Sequence, residues 1–281
     1  MNAFDNLQSH DQSMPLIITP DNSLLPSLKC PKQSYFKMQV YYPIFLTTIS
    51  IIASPFFLYQ YITHQTAFHD IWVKGRKKSI IYSEYYKNKH LLAKIWNSVS
   101  GQLYLKGGLE YQANVGYCPA ATTRCILRSI PSHIPIAIPP MVSSSSLPPK
   151  VAAAIDNAST LTKTTVIYGN EGYEAFLSAI KLSNNPKYRV AVNYLRSALY
   201  GITLPFLHNI LLGYIGGHFS PVIGYLPDQD LVAIFDVNHN YGVFLVDTKR
   251  LYDAVNTYDI MSKTTRGLVL TEITGSGDDN V

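Results

Sequence analysis

The chain has 281 residues, of which 47% are hydrophobic and only 15% charged, and its formal net charge is +5. That much apolar material can bury a sizeable core, while the charge content lies well under the roughly 25% usual for soluble chains, which excludes an acidic scaffold and favours a large interior or a membrane. Cys30, Cys118 and Cys125 form no CxxC pair, excluding a disulfide framework and a structural zinc site, and the basic residues carry no nucleic-acid reading motif.

Residues 1–38 read as a polar, proline-punctuated extension. From Gln39 to Thr63 there is no Asp, Glu, Lys, Arg or His. Its apolar heart, Tyr41 to Ile62, is long enough as one helix to cross a hydrocarbon layer of about 30 Å, with Tyr41, Tyr42, Tyr59 and Tyr61 near the ends as interfacial anchors. The leading expectation is a single-pass transmembrane helix over 39–63. Two alternatives stay open. Lys29, Lys32 and Lys37 precede the run as in a secretory signal whose cleavage would leave a periplasmic or secreted product, although no A-x-A site follows. A buried soluble helix is the other, since Pro55 would kink or divide a membrane helix. The three lysines on one side and Lys74, Arg76, Lys77 and Lys78 on the other slightly favour a cytoplasmic C-terminal region, and 64–78 forms a basic connector.

Ser79 to Val99 has intermittent apolar spacing that suits helical structure. Next comes the segment Gln112 to Leu127, in which Gly116 supplies a sharp turn, Cys118 follows, and Pro119 suits the first turn of a helix. A thiol at such a helix start meets unpaired backbone donors and the positive end of the dipole, both of which favour the thiolate. Cys125 lies about 10.5 Å further along that helix, too far for a bridge, and reads as a core residue. Ser132 to Lys150, with its prolines and serine run, reads as a surface loop beside a cleft. Helices are expected at Val151–Ala158, Gly172–Leu182 and Thr248–Val255, with strands at Tyr188–Tyr194 and Gly267–Thr271. The apolar stretch Leu204 to Ile215 suits a lid, a packed helix or a membrane-facing loop. This order indicates an α+β fold.

The hairpin formed by Phe219–Leu226 and Leu231–Val237 carries the second half of the chemistry. With Pro227 to Asp230 as its turn and a midpoint near residue 227, residues whose numbers sum to about 454 face each other, which makes His218 and Asp236 cross-strand neighbours. A carboxylate beside an imidazole fixes its tautomer and favours the imidazolium. Gln112, Cys118, His218 and Asp236 thus form a set suited to acyl transfer through a thioester, with the Gln112 carboxamide and the Cys118 N–H as oxyanion donors.

The stretches GGHFSPVIGY, LVAIFDV, GYCPAAT, VNYLRSALYG and SKTTRGLVLTE resemble the catalytic domain of the phytochelatin synthase family, over roughly residues 79 to 272. The resemblance implies a papain-like cysteine protease fold over 79–272 with a polar tail at 273–281. It places the family's catalytic triad on Cys118, His218 and Asp236, its oxyanion glutamine on Gln112, and substrate binding on Arg196 and Tyr117. The implied activity cleaves glutathione at its Cys–Gly bond and passes γ-Glu-Cys from Cys118 to water or to a second glutathione. The chain has no cysteine-rich stretch after residue 272, which leans the expectation toward hydrolysis. No tightly bound cofactor and no protein metal site are expected, with Cd²⁺ or Zn²⁺ acting as a metal–glutathione substrate or activator. Expected partners are glutathione, γ-glutamylcysteine peptides and a membrane through 39–63, with a homodimer left open and no nucleic acid. The chain departs from the family at Pro119, where glycine is usual, in the long apolar connection from Arg196 to His218, and at Asn238–Val243. Competing readings are a cysteine hydrolase of another γ-glutamyl amide, an inactive membrane-associated binding protein, and Arg196 as a surface ion-pair residue.

Overall fold

The computed structural model describes residues 28, 40–52, 54–63, 65, 69–75, 77–144, 147–201 and 217–275. The expectations for residues 1–27, for Cys30, for Leu204–Ile215 and for the last six residues lie outside them.

Among the described residues the helices are α1 (Tyr42–Ile52), α2 (Ser54–Thr63), α3 (Lys89–Trp96), α4 (Val99–Gly107), α5 (Cys118–Arg128), α6 (Pro148–Ala158), α7 (Tyr173–Leu182), α8 (Arg196–Tyr200) and α9 (Thr248–Val255). The strands are β1 (Thr162–Tyr168), β2 (Tyr188–Tyr194), β3 (His218–Leu226), β4 (Leu231–Asp236), β5 (Gly242–Asp247), the two-residue β6 (Tyr258–Asp259) and β7 (Thr264–Thr265), and β8 (Gly267–Ile273). Six of them form one antiparallel sheet in the order β1-β8-β2-β3-β4-β5, and β6 pairs with β7 apart from it. The α+β expectation holds at this level.

β3 and β4 are buried at every position, which is why HFSPVIGYL and LVAIFD read as nearly unbroken apolar runs: both faces of the sheet are covered. On one face Phe219, Ile223, Ala233 and Phe235 pack with Ala121, Cys125 and Ile126 of α5 and Val151 and Ile155 of α6. On the other, Val222, Val232 and Ile234 pack with Phe176 and Ile180 of α7 and Leu251 and Val255 of α9. The sheet is therefore the middle of three layers, and α5 lies against β3 and β2.

Elements expected from the sequence appear with small changes of boundary. β2 and α9 match their expected ranges, and β8 runs two residues beyond Thr271. α6 begins at Pro148 rather than Val151, because prolines in the first helical turn forgo only a donor that would be unpaired there. Four strands escaped the sequence reading, β1, β5 and the two-residue β6 and β7. β1, TKTTVIY, is an edge strand paired with β8, with Lys163 and Thr165 exposed and Thr162 and Thr164 half-buried, and β5 emerges directly from the turn at Asn238–Tyr241.

The single transmembrane helix expected over 39–63 is not shown by the described residues. That region holds α1 of 11 residues and α2 of 10, and no helix among the described residues is long and apolar enough to cross a membrane. Pro55 has no N–H for the Ile51 carbonyl, and the Ser54 hydroxyl donates to that carbonyl instead, at 2.8 Å. Ile44, Ile51, Ile52, Phe56, Leu58 and Ile62 are exposed on these two helices.

Candidate active site

Cys118 opens α5. Gly116, at φ +86°, makes the left-handed turn that redirects the chain, and Pro119 occupies the first helical turn. Tyr117 is the residue before the helix; it is half-buried and makes no side-chain cap. Because α5 packs on β3, the buried Cys118 thiol comes close to the first residues of that strand, the His218 ring and the Phe219 backbone, both of which favour its thiolate. Burial by itself pushes the thiol up. The His218 ring and its charge, the Phe219 backbone and the nearby Arg196 guanidinium together outweigh it and hold Cys118 below its ordinary value.

His218 and Asp236 meet, but not in the register expected. Leu226 lies opposite Leu231 and Val222 opposite Ile234, pairs whose numbers sum to 457 and 456, with a bulge between Val222 and Gly224. The turn is centred later than residue 227 because Pro227–Gln229 form a 3₁₀ turn closed by Asp230 in the left-handed conformation, φ 51°. An odd sum would put His218 and Asp236 on opposite faces of the hairpin. The bulge absorbs one residue and returns them to the same face, where His218 lies diagonal to Asp236 rather than directly across. The ladder ends at Val222–Ile234, beside Pro221, which has no N–H to extend it. His218 Nε2 is 2.6 Å from Asp236 Oδ1, which leaves Nδ1 for the thiol.

Asp236 is fully buried, yet its carboxylate is well supplied with donors. Oδ1 also accepts the Asn238 N–H at 2.7 Å, and Oδ2 accepts the Tyr194 hydroxyl at 2.9 Å and the Tyr200 hydroxyl. Burial would push this carboxyl up, but the imidazolium, Arg196 and the hydrogen bonds pull it down to about 2. For His218, burial opposes the charged ring while the Asp236 carboxylate and the Cys118 thiolate favour it, and the balance lies at about 9. The imidazolium is therefore the favoured form of His218 below about 9, and the charge beside it favours the Cys118 thiolate.

Arg196 begins α8, with its Nε enclosed and without a hydrogen-bond partner. Its guanidinium stands 5.5 Å over the Tyr241 ring, and no carboxylate lies within ion-pair distance of it among the described residues. It is a half-buried cation beside Cys118, His218 and Asp236 rather than part of a surface pair. Gln112 is buried, and its backbone N–H donates to the Val237 carbonyl at 2.8 Å, tying the loop before Cys118 to the residue after Asp236. Its side-chain oxygen is enclosed without a hydrogen-bond partner. The remaining described cysteine, Cys125, accepts the Glu110 N–H at 3.4 Å, and burial pushes its thiol up to about 12.

Sequence reading missed Tyr194, Tyr200 and Tyr241 as parts of this site. Tyr194 directly faces His218 across β2 and β3, and Tyr200 follows Arg196 by four positions on α8, so strand register and helix periodicity were the available signals. Among the described residues no group of three or more His, Cys, Asp or Glu side chains is arranged to hold a metal ion.

Residues 150–268 match the family model described as phytochelatin synthase, a shorter stretch than the resemblance over 79–272 and one that excludes Gln112 and Cys118. No curated protein matches the chain. His218, Asp236 and Arg196 fall inside the stretch that is similar to the phytochelatin synthase family, and α5 delivers Cys118 to them from outside it.

Proposed function

We propose that this protein is a papain-like cysteine acyltransferase or hydrolase acting on glutathione. The observation that supports it most is the Cys118 thiol beside His218, whose ring is hydrogen-bonded to Asp236, the last two lying within the family match. In this reading the Cys118 thiolate attacks the carbonyl carbon of the Cys–Gly bond, forming a C–S bond as the carbonyl electrons move onto oxygen. Gln112 and the Cys118 N–H donate to that oxyanion, each such donor contributing about 3 kcal/mol. Collapse breaks the C–N bond, His218 gives its proton to the departing glycine amine, and γ-Glu-Cys remains on Cys118 as a thioester. Neutral His218 then takes a proton from water, giving hydrolysis, or from the amino group of a second glutathione, giving a longer γ-glutamylcysteine peptide.

Arg196 and Tyr117 take substrate-binding roles in this reading. A half-buried guanidinium without a carboxylate partner is matched by a substrate carboxylate, of which glutathione carries two. Cd²⁺ or Zn²⁺ enters bound to glutathione thiolate, as part of the substrate. The exposed apolar side chains of α1 and α2 support a membrane location for the N-terminal region, testable by vesicle flotation of the full chain against a variant with Ile44, Ile51, Phe56 and Leu58 changed to serine.

The test of activity incubates the purified protein with glutathione, with and without Cd²⁺ or Zn²⁺, and resolves products by mass spectrometry. Free glycine with γ-Glu-Cys marks hydrolysis, oligomers mark transfer, and Cys118→Ala abolishes both. Equal inertness of wild type and Cys118→Ala toward glutathione and other γ-glutamyl amides would favour a binding protein and overturn the reading.

A further inference from the structure

Two phenols stand behind the carboxylate that orients the imidazole, and the mechanism above uses neither. Tyr194 on β2 and Tyr200 at the end of α8 both donate to Oδ2 of Asp236, while Oδ1 receives His218 Nε2 and the Asn238 N–H. The phenol oxygens lie 3.3 Å apart, and Ser220 Oγ is 3.2 Å from that of Tyr194. Both rings are buried and held by other rings: Tyr200 stacks on Tyr241 at 4.0 Å, and Tyr194 meets the His218 ring edge-on at 5.5 Å. Packing alone would accept phenylalanine at either place, so two buried hydroxyls converging on one oxygen need an electrostatic reason.

Arg196 supplies it. This guanidinium has an enclosed Nε without a hydrogen-bond partner, influences Asp236, and still makes no ion pair with it within 4.0 Å. A buried carboxylate oxygen stripped of its donors would turn toward such a cation, because an arginine–carboxylate pair offers two charge-assisted hydrogen bonds. We propose that Tyr194 and Tyr200 are positioning residues that clamp Oδ2 of Asp236, holding Oδ1 on His218 and keeping the carboxylate off Arg196. The clamp has two consequences: the imidazolium keeps its counter-ion, and the guanidinium stays available for an anionic substrate group. Burial drives both phenols well above their usual range, so they remain donors throughout the working pH. The ionisable groups facing Asp236 are His218 from β3, Tyr194 from β2, Tyr200 and Arg196 from α8, Tyr241 from the turn before β5, and Tyr86, with Cys118 of α5 beyond the imidazole.

The inference rests on the reading of Cys118, His218 and Asp236 as one unit, and its test needs no glutathione. Iodoacetate, an anion, alkylates the thiolate fastest while an imidazolium stands beside it, so its rate falls as pH rises through the His218 titration. The rate at Cys118 is followed from pH 5 to 10 by peptide mass spectrometry on full-length wild type, Tyr194→Phe, Tyr200→Phe, Arg196→Gln, and the double variant Tyr200→Phe/Arg196→Gln. In wild type the fall is centred near 9. Each phenylalanine variant moves it down by about one pH unit, a tenfold loss of imidazolium stability. The shift caused by Tyr200→Phe shrinks when Arg196→Gln is already present, a coupling that a purely structural role would not produce. Both phenols hold the same oxygen, so either variant carries the expectation should the other not fold. A fall that stays in place or moves upward, or a shift of equal size with and without Arg196, overturns the inference. Wild type lacking any such fall would overturn the catalytic-unit reading itself.

Discussion

Asp236→Asn removes one buried charge while keeping the shape of the side chain. Burial disfavours the His218 imidazolium, and the Asp236 carboxylate is the largest influence opposing it, so the ring stands at about 9 against an ordinary 6.5, a difference worth about 3 kcal/mol. With asparagine the burial cost and the Cys118 thiolate stay while the largest compensation goes, moving the ring down toward its ordinary 6.5. At pH 8 the imidazolium fraction then falls from about 90% toward about 3%, a loss of up to about 30-fold from protonation alone. Orientation is lost as well, because an asparagine amide presents one acceptor where the carboxylate serves four donors. The expected result is a drop in kcat/KM for glutathione of about 100-fold at pH 8, with the alkaline limb of the rate profile moved from near 9 toward 6.5. Initial rates of glycine release across pH 5 to 10 measure both, with a thermal melt to show that the variant is folded. A folded variant within threefold of wild type, with its alkaline limb unmoved, would refute the argument that this carboxylate sets the histidine.

Asp236 also links stability to acid pH. Its folded value near 2 lies below the ordinary 3.8, so its contribution of about 2 kcal/mol is fully present above pH 3.8 and is lost as pH falls through 2; urea unfolding should show this slope in wild type and not in Asp236→Asn. His218 has the opposite sign: its contribution is complete below pH 6.5 and declines as pH rises through the raised folded value, a slope best read in Cys118→Ser, where the thiol's opposing contribution is absent. Arg189 is a buried cation that donates to Ser129 Oγ and to the carbonyls of Ser129, Pro186 and Tyr188, tying β2 to the end of α5. Arg189→Met should cost about 3 kcal/mol by urea unfolding while leaving the activity of the folded fraction within twofold. At Gly217 a Cβ would fall 1.9 Å from Asn193 Oδ1, so Gly217→Ala must displace the buried Asn193 side chain or the start of β3, and a fall in kcat is expected next to His218.

The sequence by itself determined the local chemistry of this protein. A glycine turn, a cysteine and a proline in the first helical turn specify where α5 begins and hence that the Cys118 thiol sits at a helix start. Continuous apolar runs around Pro227–Asp230 specify the β3–β4 hairpin, because a strand covered on both faces has no polar positions to betray its register. Only the tertiary structure decided the pairings. Whether His218 shares a face with Asp236 turns on one bulged residue near Ile223, and a period of two makes a single residue the difference between contact and opposite sides of a sheet. Tyr194 and Tyr200 join the site, and Arg196 stands beside it without an ion pair, through the packing of β2 and α8 against β3 and α9, contacts made between residues distant in the chain.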